Sequence, residues 1–243
     1  MNNKNNLLLP SIILGICFLG AAFILAATWK SNYKMNQTIT VTGSAKQDIV
    51  SDLGVLKGTI TGRGLTAEAA YKKLQSQIPV VEKYLAGQDF PKDKIDFQTV
   101  NSYPVYEIGQ NGMQTGNIKS YVYSQQIEIQ SEDVNKIKSI SLDIPSLVEK
   151  GIDFRVEMPQ YHYTKLAELK IQIQADAAKD AMVRAEKIAS STGRKLGPMT
   201  NARMGVLQIT PELSNQVSNY GINDLSSIDK TITAVVNASF VIE

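Results

Sequence analysis

The feature that most constrains this chain is an uncharged run from Leu7 to Thr28, LLLPSIILGICFLGAAFILAAT, close to the N-terminus. At about 1.5 Å per residue such a helix spans roughly 33 Å, enough to cross a hydrocarbon core of about 30 Å. Pro10 falls in the first turn, where its missing N–H costs little. Trp29 and Tyr33 follow at the far edge, where amphipathic rings favour the headgroup layer. Lys4 precedes the run and Lys30 and Lys34 follow it, so the flanking charges do not set the orientation. An uncleaved anchor, a cleaved signal and a lipoprotein using Cys17 all fit such a run. It is longer than a signal-peptide core, has no clean A-x-A site, and carries bulky Ile16 just before Cys17. The expectation is a cytoplasmic N-terminus over 1–6, an anchor over 7–28, a linker over 29–36 and an extracytoplasmic domain over 37–243. In a Gram-negative cell that domain is periplasmic.

Composition then removes whole classes of function. The chain has one Cys and one His, which leaves no disulfide framework and no ordinary Cys/His zinc site. Cys17 would lie in the membrane, so the exported part has no cysteine. A formal net charge of +2 does not suggest a nucleic-acid partner. With 43% hydrophobic residues the chain can bury a core.

From Gln37 onward short strands alternate with amphipathic helices. Ile39 and Val41 open a first strand, and a second covers 53–61. Thr66 can cap a helix whose stripe is Ala70, Leu74, Ile78, Val81 and Leu85, kinked at Pro79 and ended by Gly87. A strand over 95–100 continues beyond a break at Pro104 to Ile108, and the turn-rich GQNGMQTGN leads into a long strand, forming a hairpin. Tyr121, Tyr123, Ile127 and Ile129 face one way on that strand, and Ser124, Gln126, Glu128 and Gln130 the other. The polar face is either solvated or covered by a neighbouring subunit.

Ser131 is expected to cap a short helix burying Val134, Ile137 and Ile140, and Gly151 to stop a second helical piece. Ile152, Phe154, Val156 and Met158 alternate with polar residues as a half-buried strand. The longest helix should run from about Tyr163 to Thr192, on a stripe of Leu166, Leu169, Ile173, Ala177, Ala181, Ala185 and Ile188. A strand over 199–209 precedes the polar stretch 210–229, which has no period and reads as a mobile or binding loop. The chain closes on a strand with Ile232, Ala234, Val236, Ala238, Phe240 and Ile242 pointing one way. The order β-β-α-β-β-α-β-α-β-β, with several hairpins, implies an α+β fold with mainly antiparallel sheet.

Several pieces together resemble the SIMPL-domain family of exported bacterial proteins. They are Ile39-Thr-Val-Thr-Gly43, Thr66-Ala-Glu-Ala69, Ile95-Asp-Phe-Gln-Thr99 leading to Pro104-Val-Tyr106, Ala175-Asp-Ala-Ala178, Ala185-Glu-Lys-Ile-Ala189 and Gly193-Arg-Lys-Leu-Gly197. The resemblance covers about Gln37 to Glu243. It implies an α+β fold, an envelope location and, in some members, ring-like or channel-like homo-oligomers, with no catalytic residues to carry over. The chain departs from the pattern at Ile49-Val-Ser-Asp-Leu53, where only Asp52 of a Pro-Asp pair is in place, and at Pro79.

Chemistry is sparse. His162, between Tyr161 and Tyr163, lacks a G-x-S-x-G partner, so a hydrolase built on it is the weakest reading. Gly58-Thr-Ile-Thr-Gly62-Arg-Gly64 lacks the Lys-Ser/Thr of a phosphate loop. Glu132-Asp133 suits a helix N-terminus better than a metal. Tyr103, Tyr106, Tyr121 and Tyr123 cluster across the hairpin, either as cross-strand pairs or as an interaction surface. The expectations are therefore no catalytic, cofactor or metal site, a homo-oligomeric envelope scaffold, and as an alternative a module that captures a ligand or envelope partner through the tyrosine hairpin or the 210–229 loop.

Overall fold

The computed structural model describes residues 8–35, 37–110 and 112–242. The 1–6 segment expected in the cytoplasm lies outside the described residues. The fold is α+β, with four α-helices and two mostly antiparallel sheets among the described residues. Helix α1 (Leu8–Met35) contains the apolar stretch Ser11–Trp29, none of it buried, and continues into the 29–36 stretch as far as Met35. The chain divides into two compact units, Met1–Lys46 with Lys170–Leu207 and Thr233–Glu243, and Gln47–Leu169 with Gln208–Ile232.

In the first unit, β1 (Thr38–Val50) and β8 (Leu196–Met204) both pair with β11 (Asp229–Ile242), and β8 does so antiparallel from Val236↔Met204 to Ile242↔Leu196. The expected alternation of β11 holds through Ala234, Val236, Ala238 and Phe240, which are buried, but breaks at a register shift between Phe240 and Ile242 that buries Val241 and leaves Ile242 half-buried. Against this sheet lies α4 (Leu166–Ser191), whose buried positions here are Ile173, Ala177, Ala181, Ala185 and Ala189. Ala189 replaces the expected Ile188, which is exposed, because the stripe closes on the small residue. The approach is close enough that a Cβ on Gly43 would stand 2.3 Å from both the Ala177 carbonyl oxygen and the Ala181 nitrogen. Asp180 fixes the register, accepting from the Ser44 N–H at 2.8 Å and from Arg184 Nε at 2.7 Å.

The second unit is built on a six-stranded sheet. Its central pair, β2 (Leu53–Gly64) and β5 (Gln114–Ser131), is antiparallel from Gly54↔Ser131 to Gly64↔Tyr121. Strands β3 (Ile95–Phe97) and β4 (Asn101–Ile108) flank β5, and β6 (Phe154–Val156) and β7 (Gln160–His162) flank β2. The interruption falls at 98–100, not at Pro104, which sits inside β4. Pro is tolerated there because β4 pairs with β5 alone among the described strands. The strand expected through Met158 ends at Val156 and leaves Met158 exposed.

One face of this sheet carries the core, where Leu56, Ile60, Ile127 and Ile129 meet Leu74, Val81 and Leu85 of α2 (Ala67–Ala86) and Ile137 and Ile140 of α3 (Val134–Asp143). Each fully buried aliphatic side chain contributes about 1.5–3 kcal/mol. Thr66 caps α2 as expected, accepting from the Ala69 N–H at 3.1 Å. The helix runs unbroken through Pro79, and Gln77 joins its buried stripe while Ile78 is only half-buried. The cap of α3 is Asp133, which accepts from the Lys136 N–H at 3.0 Å; Ser131 instead accepts from the Asp133 N–H. Asp133 wins because its carboxylate reaches the third helical N–H while Ser131 sits two residues too early. A 3-10 turn over Ile144–Lys150 ends, as expected, at Gly151 with φ +74°. The expected strand over 199–209 is two strands, β8 and β9 (Gln208–Pro211), and β9 pairs parallel with β10 (Ile222–Asn223).

Candidate functional site: a buried lysine beneath the 210–229 segment

The four tyrosines singled out in the hairpin do not form one surface. Tyr103 stands opposite Val122 and Pro104 opposite Tyr121, and directly opposed residues share a face. Tyr103, 53% exposed, therefore lies on the other face from Tyr121 and Tyr123. Tyr123 packs against the core edge-on to Tyr71 of α2, with ring centroids 5.6 Å apart. Tyr106 is exposed opposite Ile118, beyond a bulge. His162 ends β7 opposite Leu53 and is half-buried, and the long helix α4 begins only at Leu166 rather than near Tyr163.

The 210–229 segment is tied down rather than structureless. Gln208 clamps it from below, its Nε2 donating to the Ser218 carbonyl at 2.7 Å and its Oε1 accepting from the Ser218 N–H. The Asp224 N–H donates to the Ile209 carbonyl, and the Leu225 carbonyl accepts from the Tyr161 N–H at 2.8 Å. The Asp224 carboxylate accepts from the N–H and hydroxyl of Ser226 and from the N–H of Ser227. Burial works against its ionisation, but these bonds outweigh it and hold the pKa below the ordinary value.

Lys230 is the residue that sequence reasoning passed over. It lies in β11, is 2% exposed, and donates from Nζ to the Tyr161 carbonyl at 2.6 Å and to the Asp224 carbonyl at 2.7 Å. Burial pushes its pKa down, and the negative charge of Asp224 partly opposes that. The signal was present: extending the β11 alternation two residues back from Ile232 puts Lys230 on the inward face. Nearby, Asp52 takes the Thr164 N–H and hydroxyl, each at 2.7 Å, just ahead of α4.

A small recess of about 60 Å³ opens beside Lys230, with His162, Tyr163 and Asn223 among its lining residues. Among the described residues no group of His, Cys, Asp and Glu is placed to hold a metal ion. Chemically the arrangement is a cationic clamp: the ammonium holds two backbone segments through neutral carbonyls.

These features define an α+β protein with an apolar N-terminal helix and a laced surface segment. The chain belongs to the SIMPL family, described as a protein of unknown function (DUF541), which it matches over residues 39–240. No curated protein matches it.

Proposed function

We propose that this is a non-enzymatic, membrane-anchored protein whose folded part lies outside the cytoplasm, self-assembles into a homo-oligomer, and serves in cell-envelope maintenance or stress tolerance. The observation that carries the reading is α1, where Ile12, Phe18, Leu19, Phe23 and Ile24 are all exposed along a stretch long enough to span a bilayer. Such a surface is stable in hydrocarbon and not in water. Anchoring also favours assembly, because confinement to a membrane raises the effective concentration of the folded part. The clamp role of Lys230 supports a structural rather than a catalytic use of the folded part.

The test is the mass of the full-length protein in mild detergent, compared with a chain beginning at Gln37. A defined oligomer in both supports intrinsic assembly by the folded part. A monomer in both rejects the scaffold.

A second reading, capture of a ligand or envelope partner, is favoured by one observation. On the laced frame of the 210–229 segment, Leu213, Val217 and Tyr220 are 92%, 81% and 97% exposed. Apolar tips on a held loop are a common recognition device. Replacing all three with Ser should leave the fold intact and abolish partner capture; capture that persists rejects this reading.

A further inference from the structure

We propose that the recess beside Lys230 is a binding site for a small monovalent anion, of halide to formate size. The argument begins with charge. Lys230 is 2% exposed, yet among the described residues its ammonium makes no ion pair, and both of its acceptors are neutral carbonyls. The negative charge of Asp224 offsets the burial of this ammonium only in part, and satisfying two of its three N–H groups with neutral carbonyls does not neutralise it.

Carboxylates near the site are committed elsewhere. Asp224 presents its backbone carbonyl to Lys230 and turns its carboxylate to Ser226 and Ser227. Asp52 spends both oxygens on Thr164. Neither side chain lines the recess.

The recess supplies the remaining requirements of an anion site. Lys230 lines it together with His162, Tyr163 and Asn223, residues whose side chains carry a ring nitrogen, a phenol and an amide. Each can donate a hydrogen bond to an anion. Leu166, the first residue of α4, also lines it, so the positive end of a long helix adds to the field. A volume of about 60 Å³ exceeds the roughly 10–15 Å³ that one water needs, and suits a halide or a one-carbon carboxylate. One fixed positive charge matches one negative charge. Because Asn223 belongs to the 210–229 segment while Lys230 belongs to β11, a bound anion would also help to hold that segment in place.

The experiment uses full-length protein in mild detergent at constant ionic strength, with gluconate as the bulky reference anion. Titration with bromide, chloride or formate should raise Tm along a saturating curve, by roughly 5 °C or more at a hundredfold excess over Kd. Asn223→Leu removes a donor from the recess and fills it from the 210–229 segment without touching the lysine's own bonds. It should abolish the anion-specific shift while the protein still unfolds cooperatively. Crystals grown in bromide should show an anomalous peak within hydrogen-bond distance of Lys230 Nζ. This second measurement does not depend on any variant folding. A Tm that is the same in all anions, a rise that never saturates, or a bromide crystal without that peak overturns the assignment. Each of these outcomes is independent of whether the protein is an oligomer.

Discussion

Gln77 Oε1, on the buried face of α2, accepts a hydrogen bond from the backbone N–H of Asp153 at 2.6 Å. The same side chain donates from Nε2 to the Thr61 carbonyl at 2.7 Å, so one amide joins a helix, a central strand and the segment leading into β6. Gln77→Leu preserves approximate volume but takes the partner from the Asp153 N–H and from the Thr61 carbonyl, both part-buried bonds. The expected loss is about 2–4 kcal/mol of stability, read from denaturant unfolding. Gln77→Glu should cost less at low pH, where a protonated carboxyl can still donate and accept. Equal stability of the Gln77→Leu variant and the wild-type protein would show that water replaces both bonds.

Close approach of helix and strand makes Gly43 sensitive to a single methyl group. Its added Cβ would meet backbone atoms of Ala177 and Ala181 at 2.3 Å, and backbone cannot swing aside as a side chain can. Gly43→Ala should cost about 1–3 kcal/mol, whereas Gly15→Ala in α1, with nothing within 4 Å, should be nearly neutral. Thermal unfolding of the two variants side by side decides it.

Capping gives a sharper contrast. Asp133→Ala should destabilise by about 1 kcal/mol, because it removes the acceptor for the first-turn N–H of Lys136. Ser131→Ala should cost less, since Ser131 bonds only the Asp133 N–H outside the helix. Chemical denaturation midpoints of the pair check the assignment; the reverse order would restore Ser131 as the cap.

Acid should loosen the junction before α4. For Asp52, burial favours the neutral form, but the two bonds from Thr164 outweigh it and the folded pKa lies below the ordinary value of 3.8. A depressed folded pKa means stability that is fully present above the unfolded value and lost as pH falls through the folded one. Asp52→Asn, which cannot titrate, should therefore lose less stability than wild type as pH falls below about 4, as followed by Tm against pH. Parallel curves would remove Asp52 from the acid response.

Much of this fold is legible in the chain because the deciding interactions are local or periodic. The apolar length of α1, the Thr66 cap, the Val134, Ile137 and Ile140 stripe, the left-handed stop at Gly151 and the alternation of β11 each follow from spacing and residue type. Hydrophobic period and cap chemistry act over a few residues, so they can be read without knowing what lies across the core.

Tertiary structure decided the rest, because the partners are remote in sequence. Helical spacing names Ile78 as a core position, but the strand and the turn into β6 offer a carbonyl and an N–H where Gln77 can meet them, and the amide takes the buried place. Residue type suggests that four tyrosines belong together, but strand register puts Tyr103 on the opposite face from Tyr121 and Tyr123. The segment 210–229 has no period of its own, and its order comes from Gln208, Tyr161 and Lys230. Lys230 lies 69 residues from the carbonyl of Tyr161 that holds it. Alternation can point its side chain inward, but only the assembled strands supply the acceptors that let a charge remain there.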